Sequence, residues 1–239
     1  ALSSAASDVY KRQGMPIGAF WGYKTDGLIQ TQEQLNAVKR ADFQPNAELG
    51  DVLFVDTNGD GKLDSSDRCM IGNPIPDIIY GINMGMAWKG FDLNLQFGGT
   101  IGNQIFNAMR YYTYFPNDIT NKDRALMNYW TPNNTNTDIP RLTATDVNDN
   151  DRFSDMYVEN GTYFRLRNAQ LGYTLPASLT QRIKLQKVRF YVSGQNLFTI
   201  SSYSGMDPEV GQSSSLSRGI DYGIYPQNIS FTGGINVTF

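Results

Sequence analysis

The 239-residue sequence contains no histidine, a single cysteine and only 18% charged residues. Without histidine the chain lacks the commonest general base and the commonest transition-metal ligand. Cys69 alone cannot form an internal disulfide or a cysteine-based zinc site, and reads as a passive loop residue. No apolar run approaches the roughly 18 residues that a transmembrane helix needs, and no signal-peptide pattern is visible. Net charge is −3 with no long basic run, which gives nucleic acid nothing to bind. No spacing of Asp and Glu singles out an acid–base pair, and no nucleophile has an evident partner, so the expectation is a protein that is not an enzyme.

What is abundant is glycine (23) and aromatic side chains (13 Phe, 14 Tyr, 3 Trp), a mixture that suits strands punctuated by glycine. Ile78, Tyr80, Ile82, Met84, Met86 and Trp88 alternate with smaller or polar residues. After Lys89-Gly90 the alternation resumes with Phe91, Leu93, Leu95 and Phe97 against Asp92, Asn94 and Gln96. A two-residue turn at Lys89-Gly90 pairs Trp88 with Phe91, Met86 with Leu93, Met84 with Leu95 and Ile82 with Phe97, all on one face. Three further strands are expected. Tyr163 to Thr174 changes phase near Asn168, as a bulge would cause; the others run from Val188 to Phe198 and from Ile229 to Phe239. Each has roughly the 9–11 residues with which a tilted strand crosses a bilayer, and a mean hydropathy of −0.40 is compatible with that reading.

The connections alternate in length. Lys89-Gly90 is tight and Pro176 to Lys187 is short, whereas 100–161 and 199–228 are long and rich in Asn, Asp, Ser and Gly. Short turns at one end and long loops at the other are the asymmetry of outer-membrane barrels. The fold expected is therefore all-β, an antiparallel transmembrane β-barrel segment with long extracellular loops. A soluble β-sandwich shares the alternation but not the one-sided loops. Residues 1–13 have no periodicity and read as a non-native, adapter-like leader; 14–77 read as an extracellular loop region, and 78–239 as barrel strands with outer loops. Tyr111, Tyr112, Tyr114 and Phe115 fit an interfacial aromatic girdle at the end of a strand over 91–107, or a surface that stacks on sugar.

One run has the spacing of a cation site. From Asp56 to Asp67, oxygen-bearing side chains of Asp56, Asn58, Asp60, Asp64 and Asp67 fall at positions 1, 3, 5, 9 and 12, with Gly61 at position 6 and the Lys62 carbonyl at position 7. A hard cation needs several oxygens around one point, which makes structural calcium the expected cofactor; aspartate at position 12 implies weaker binding than glutamate would. The alternative is an Asx-rich turn that only solvates the loop. Asp146, Asp149, Asp151 and Asp155 form a fainter acidic run.

Longer motifs follow one another from Gly14 onward: GAFWGYKTDGLIQT (18–31), GDVLFVDTNGDGKLDSSDRCMIGNPIPD (50–77), YGINMGMAWKGFDLNLQFGG (80–99), YFRLRNAQLGYTLP (163–176), VRFYVSGQNLFTISSYSGMDPEV (188–210) and ISFTGGINVTF at the end. In identity and order they resemble the C-terminal part of the TonB-dependent outer-membrane transporters of the SusC/RagA type. That resemblance implies a plugged barrel of about 22 strands in a Gram-negative outer membrane. It also implies import of a glycan or peptide with a SusD-like surface lipoprotein, powered through the TonB system by segments outside this chain. The final strand, apolar at Phe231, Ile235, Val237 and Phe239, is similar to the signal read by the barrel-assembly machinery. A second reading keeps the residues but not the membrane: a secreted, calcium-stabilised β-domain that binds surface polysaccharide without transporting it.

Overall fold

A computed structural model describes residues 14–115, 121–211 and 217–239. The leader-like segment 1–13 lies outside the described residues. In chain order the strands are β1 (Phe20–Gly22), β2 (Thr25–Leu28), β3 (Val52–Phe54), β4 (Cys69–Gly72), β5 (Ile78–Trp88), β6 (Phe91–Ile101) and β7 (Gln104–Asn107). They continue with β8 (Val158–Asn160), β9 (Tyr163–Thr174), β10 (Lys187–Ser201), β11 (Ile220–Asp221) and β12 (Ser230–Thr238). The helices used below are α1 (Gln32–Arg40) and α2 (Ala108–Thr113). The chain forms two compact units, one drawn from 76–103, 160–208 and 225–239, the other from the described parts of 1–75, 104–159 and 209–224.

The first unit is a five-stranded antiparallel sheet in the order β12-β10-β9-β6-β5. Lys89 and Gly90 both have positive φ, 47° and 88°, the type I′ geometry that matches the twist of two adjoining strands. The hairpin they close has the register expected from alternation: Trp88 opposite Phe91, Met86 opposite Leu93, Met84 opposite Leu95 and Ile82 opposite Phe97. The phase change in β9 is also a bulge. Asn168 pairs with Gln96 and Leu166 with Phe97, which leaves Arg167 as the extra residue. On the other side β10 matches it with its own irregularity between Gln195 and Phe198, where Asn196 has φ 53°. Both short turns, and the end of β12, lie at the Trp88 end of the sheet; Ile78, Ile101, Tyr163, Ser201 and Ser230 lie at the opposite end.

The second unit joins segments far apart in sequence. β1 pairs with β4 and β2 with β3, while β7 is flanked by β8 and by β11, the latter in parallel. The strand expected over 91–107 is broken at Gly102 (φ 90°), and β7 beyond it belongs to this different sheet. A left-handed turn there ends the β5–β6 ladder. The girdle and sugar-stacking expectations for Tyr111, Tyr112, Tyr114 and Phe115 are corrected. Phe115 is buried in a core cluster with Phe20, Phe106, Ala108, Tyr157 and Ile220, and the three tyrosines pack against it. Tyr111 meets Tyr157 edge-on at 5.2 Å between ring centroids. The sequence read as loop at 14–77 pairs its short strands with one another, and it shares a core with parts of 104–159 and 209–224 because Phe20 packs among Phe106, Phe115, Tyr157 and Ile220. Helix α1 begins with a capping box in which Thr31 accepts from the Gln34 backbone and Gln34 accepts from the Thr31 N–H.

Candidate functional site

Two features are the candidates for a site. The larger is the sheet. Its cross-strand rows read Trp88-Phe91-Tyr173-Phe190-Ile235, Met86-Leu93-Leu171-Val192 and Met84-Leu95-Ala169-Gly194-Phe231 on one face. Toward the loop end, Ile82-Phe97-Leu166-Phe198 completes the pattern, and Phe97, Phe164 and Phe198 pack ring against ring at 5.2 and 6.3 Å. The bulge at Arg167 keeps both halves of β9 in phase, since a strand slipped by one residue would turn its apolar set to the other side. This face is uncovered: Met84 is 57% exposed, Val192 59% and Phe231 78%. A contiguous apolar patch of this extent marks a surface for lipid or another protein.

The opposite face is polar and graded. Its middle carries uncharged groups: Asn83, Gln96, Asn168, Gln195 and Ser230 in one row, and Asn94, Gln170, Ser193 and Thr232 in the next. Asp92 and Arg189 stand toward the turn end and Arg165 toward the loop end, while Arg167, at the bulge between them, lies over Gly98 and donates to the Tyr163 hydroxyl at 3.2 Å. Arg189 donates to both oxygens of Asp92, at 2.9 and 2.5 Å. Near the loop end, Arg165 donates to Thr199 at 2.8 Å and to Asp207 at 2.6 Å. Glycines make room for the larger side chains: a Cβ on Gly172 would strike Arg189 and Asp92, and one on Gly234 would strike the Tyr191 ring.

The second feature is the oxygen-rich loop. Asp56 accepts from the N–H groups of Gly59 (2.6 Å) and Gly61 (2.8 Å), Asn58 from Asp60 (2.8 Å), and Asp60 from Lys62 (2.8 Å). The Gly61 N–H bond, with those from Gly59 and Asp60, holds the Asp56 carboxyl below its ordinary pKa. Asp64 caps a short helical turn through Ser66, and the fully buried Asp67 accepts from Thr57 and Asp64, tying the two ends of the loop together. Gly59 and Gly61 have φ of 78° and 77°, a left-handed backbone that glycine adopts without strain. Among the described residues, no three His, Cys, Asp or Glu side chains gather closely enough to hold a metal ion, the aspartates of this loop included.

The fainter acidic run is dispersed. Asp155 accepts from the N–H and hydroxyl of Thr25, Asp149 pairs with Arg152, and Asp146 accepts from the Asn150 side chain and the Asp151 N–H. Burial pushes the carboxyls of Asp146 and Asp151 up. Cys69 sits half-buried in β4, where burial raises its thiol pKa as well. A buried network around Asp51, joined to Arg141, Asn150 and the Glu48 N–H, fastens 48–52 to 141–150. No local motif announces it, because Asp51 lies 90 residues from Arg141 and 99 from Asn150.

No family model matches the chain. It is 39% identical over 238 residues to TonB-dependent receptor P3 of Formosa agariphila, which covers 95% of this chain and 23% of that receptor. TonB-dependent receptor P26 of the same organism is 31% identical over 95% of the chain and 23% of its own length. TonB-dependent receptor SusC of Bacteroides thetaiotaomicron is 29% identical over 82% of the chain and 18% of its own length. Among solved structures, the RagAB peptide transporter superposes with a TM-score of 0.71 at 25% identity, over 95% of this chain and 23% of the transporter chain. The chain thus spans about a quarter of the length of these relatives. On sequence, fold and the two-faced sheet together, it belongs to the TonB-dependent receptors of the SusC/RagA type.

Proposed function

We propose that this chain is part of the wall and outer loops of an outer-membrane β-barrel that imports a nutrient, a glycan or a peptide, into a Gram-negative cell. The observation that carries the reading is the sheet, in which row after row is apolar on one face and uncharged-polar on the other. In a barrel wall the first face meets lipid chains and the second the lumen. Strands β5 and β12 are the outer strands of the sheet, and further strands of the receptor would pair with them to close the barrel. The chain performs no catalysis in this scheme; its work is to enclose and to present loops.

The partners follow from the family. A SusD-like surface lipoprotein would work with the loops, and the TonB system would act through receptor segments beyond this chain. The barrel-assembly machinery would take β12 as its signal. The likeness to a peptide transporter supports import, while the choice between glycan and peptide belongs to the loops. The loop 56–67 is proposed as a calcium site formed by Asp56, Asn58, Asp60, Asp64, Asp67 and the Lys62 carbonyl. Its spacing and its two left-handed glycines support this, and each carboxylate oxygen bonded to an amide keeps a further lone pair. The aspartates must draw closer than they stand, so calcium should tighten the loop.

The test is a pair of arginines in the full-length receptor. Met84→Arg should cost about 2–4 kcal/mol if the site lies near the bilayer midplane, and should lower the amount of heat-modifiable receptor in the outer membrane. Asn83→Arg, one residue along, should be tolerated. Equal tolerance at both positions would remove the lipid-facing assignment and favour the soluble, polysaccharide-binding reading.

A further inference from the structure

We propose that Arg165 and Asp207 form a strap that closes the stem of the connection between β10 and β12, holding the limb that leaves β10 and the limb that enters β12 to β9 and to each other. The strap ties four points of the chain together. Arg165, on the polar face of β9, donates Nε–H to Thr199 on β10 and Nη2–H to Asp207 Oδ1, at 2.8 and 2.6 Å. The other oxygen of Asp207 accepts the Gln227 N–H at 3.0 Å. Asp207 stands where the chain has just left β10, and Gln227 where it is about to enter β12. One carboxylate therefore holds the outgoing and returning limbs side by side, and one guanidinium fastens both to the wall.

Burial makes the arrangement consequential. The side chains of Arg165 and Asp207 are only 2% and 5% exposed. A charge so enclosed is strongly unfavourable once its partner is gone, so the pair behaves as all-or-none instead of as a weak surface contact. Its surroundings are shaped to match. Arg165 lies over the Tyr163 ring at 5.5 Å, and the Ser201 hydroxyl donates to the Thr162 carbonyl while accepting from the Tyr203 N–H, which sets the direction in which the chain leaves β10. The bulge between Gln195 and Phe198 brings Thr199 opposite Arg165 after the register shift. The irregularities in β9 and β10 thus serve two ends: they keep the apolar face in phase and they align the anchor of the strap.

The test is a double-mutant cycle read by hydrogen exchange in the full-length receptor in detergent. Arg165→Met and Asp207→Ala should each speed exchange of the Gln227 amide by about tenfold or more. The double variant should be no faster than the faster single, because either change opens the same strap. Amides of Leu95 and Phe190 within the sheet should be unaffected. Should Arg165→Met not fold, Arg165→Lys replaces it, since an ammonium cannot reach Thr199 and Asp207 with the same fork, and it should speed Gln227 exchange to a lesser degree. Gln227 exchange within twofold of the wild type in a folded variant would overturn the proposal. So would a double variant whose effect is the product of the two singles.

Discussion

Arg189 on β10 and Asp92 on β6 are joined by two hydrogen bonds that cross the intervening strand β9 directly over Gly172. The ion pair can span a whole strand only because that strand has no side chain beneath it. Gly172→Ala should therefore push the two flexible head groups apart and lower the stability of the sheet by the small contribution of an exposed ion pair. Gly81→Ala is the control: a Cβ there would meet nothing nearer than the Phe97 carbonyl oxygen at 3.9 Å, an ordinary contact. Unfolding of the two variants in detergent should rank Gly172→Ala below Gly81→Ala. Equal stability would mean that the bridge over Gly172 contributes nothing.

The last strand makes a second claim. Phe231 and Ile235 stand with Phe190 and Val192 in the apolar rows, and Phe239 follows the end of β12. Removing Phe239 should lower the level of receptor in the outer membrane, because the strand then presents a shorter apolar ridge during assembly. Material that does insert should bind substrate as before. Unchanged surface abundance would contradict the role given to β12 and Phe239.

For the loop 56–67 the expected outcome is a calcium-dependent stabilisation with a dissociation constant of about 10⁻⁴–10⁻³ M, suited to an extracellular module. Calorimetry on the folded receptor should show heat on calcium addition, and Asp60→Ala should abolish it. Asp67→Ala should do more than weaken binding, since the buried Asp67 carboxylate also accepts the Thr57 and Asp64 amides that close the loop. A wild type without calcium-dependent heat would leave only an Asx-rich turn.

The sheet was the legible part of this sequence, and the reason is its period of two. Met84 opposite Leu95 follows from alternation and a Lys-Gly turn, and even the bulge at Arg167 leaves its mark as a phase change in β9. The second unit hides itself because its order is non-local. The parallel pairing of Phe106 with Ile220 and the bond from the Val52 N–H to the Asn150 side-chain oxygen connect residues that no window of sequence brings together. Tyr111 and Tyr112 look like a girdle when read as the continuation of a strand, but Gly102 has already ended that strand, and a short helix turns the rings inward. Thr31-Gln32-Glu33-Gln34 has the form of a capping box and marks the start of α1. Aligning the polar phases of β6 and β10 would have brought Asp92 near Arg189 without any structure.

The most direct test of the central claim is the accessibility of spin labels placed one at a time along β5, from Ile79 to Ala87, in the receptor reconstituted in bilayers. Labels at Ile82, Met84 and Met86 should collide with oxygen dissolved in the hydrocarbon and be shielded from a water-soluble nickel chelate. Those at Asn83, Gly85 and Ala87 should show the reverse, giving a strict alternation with a period of two. Chelate access at both sets, or accessibility without alternation, would contradict a strand that carries lipid on one face and the lumen on the other.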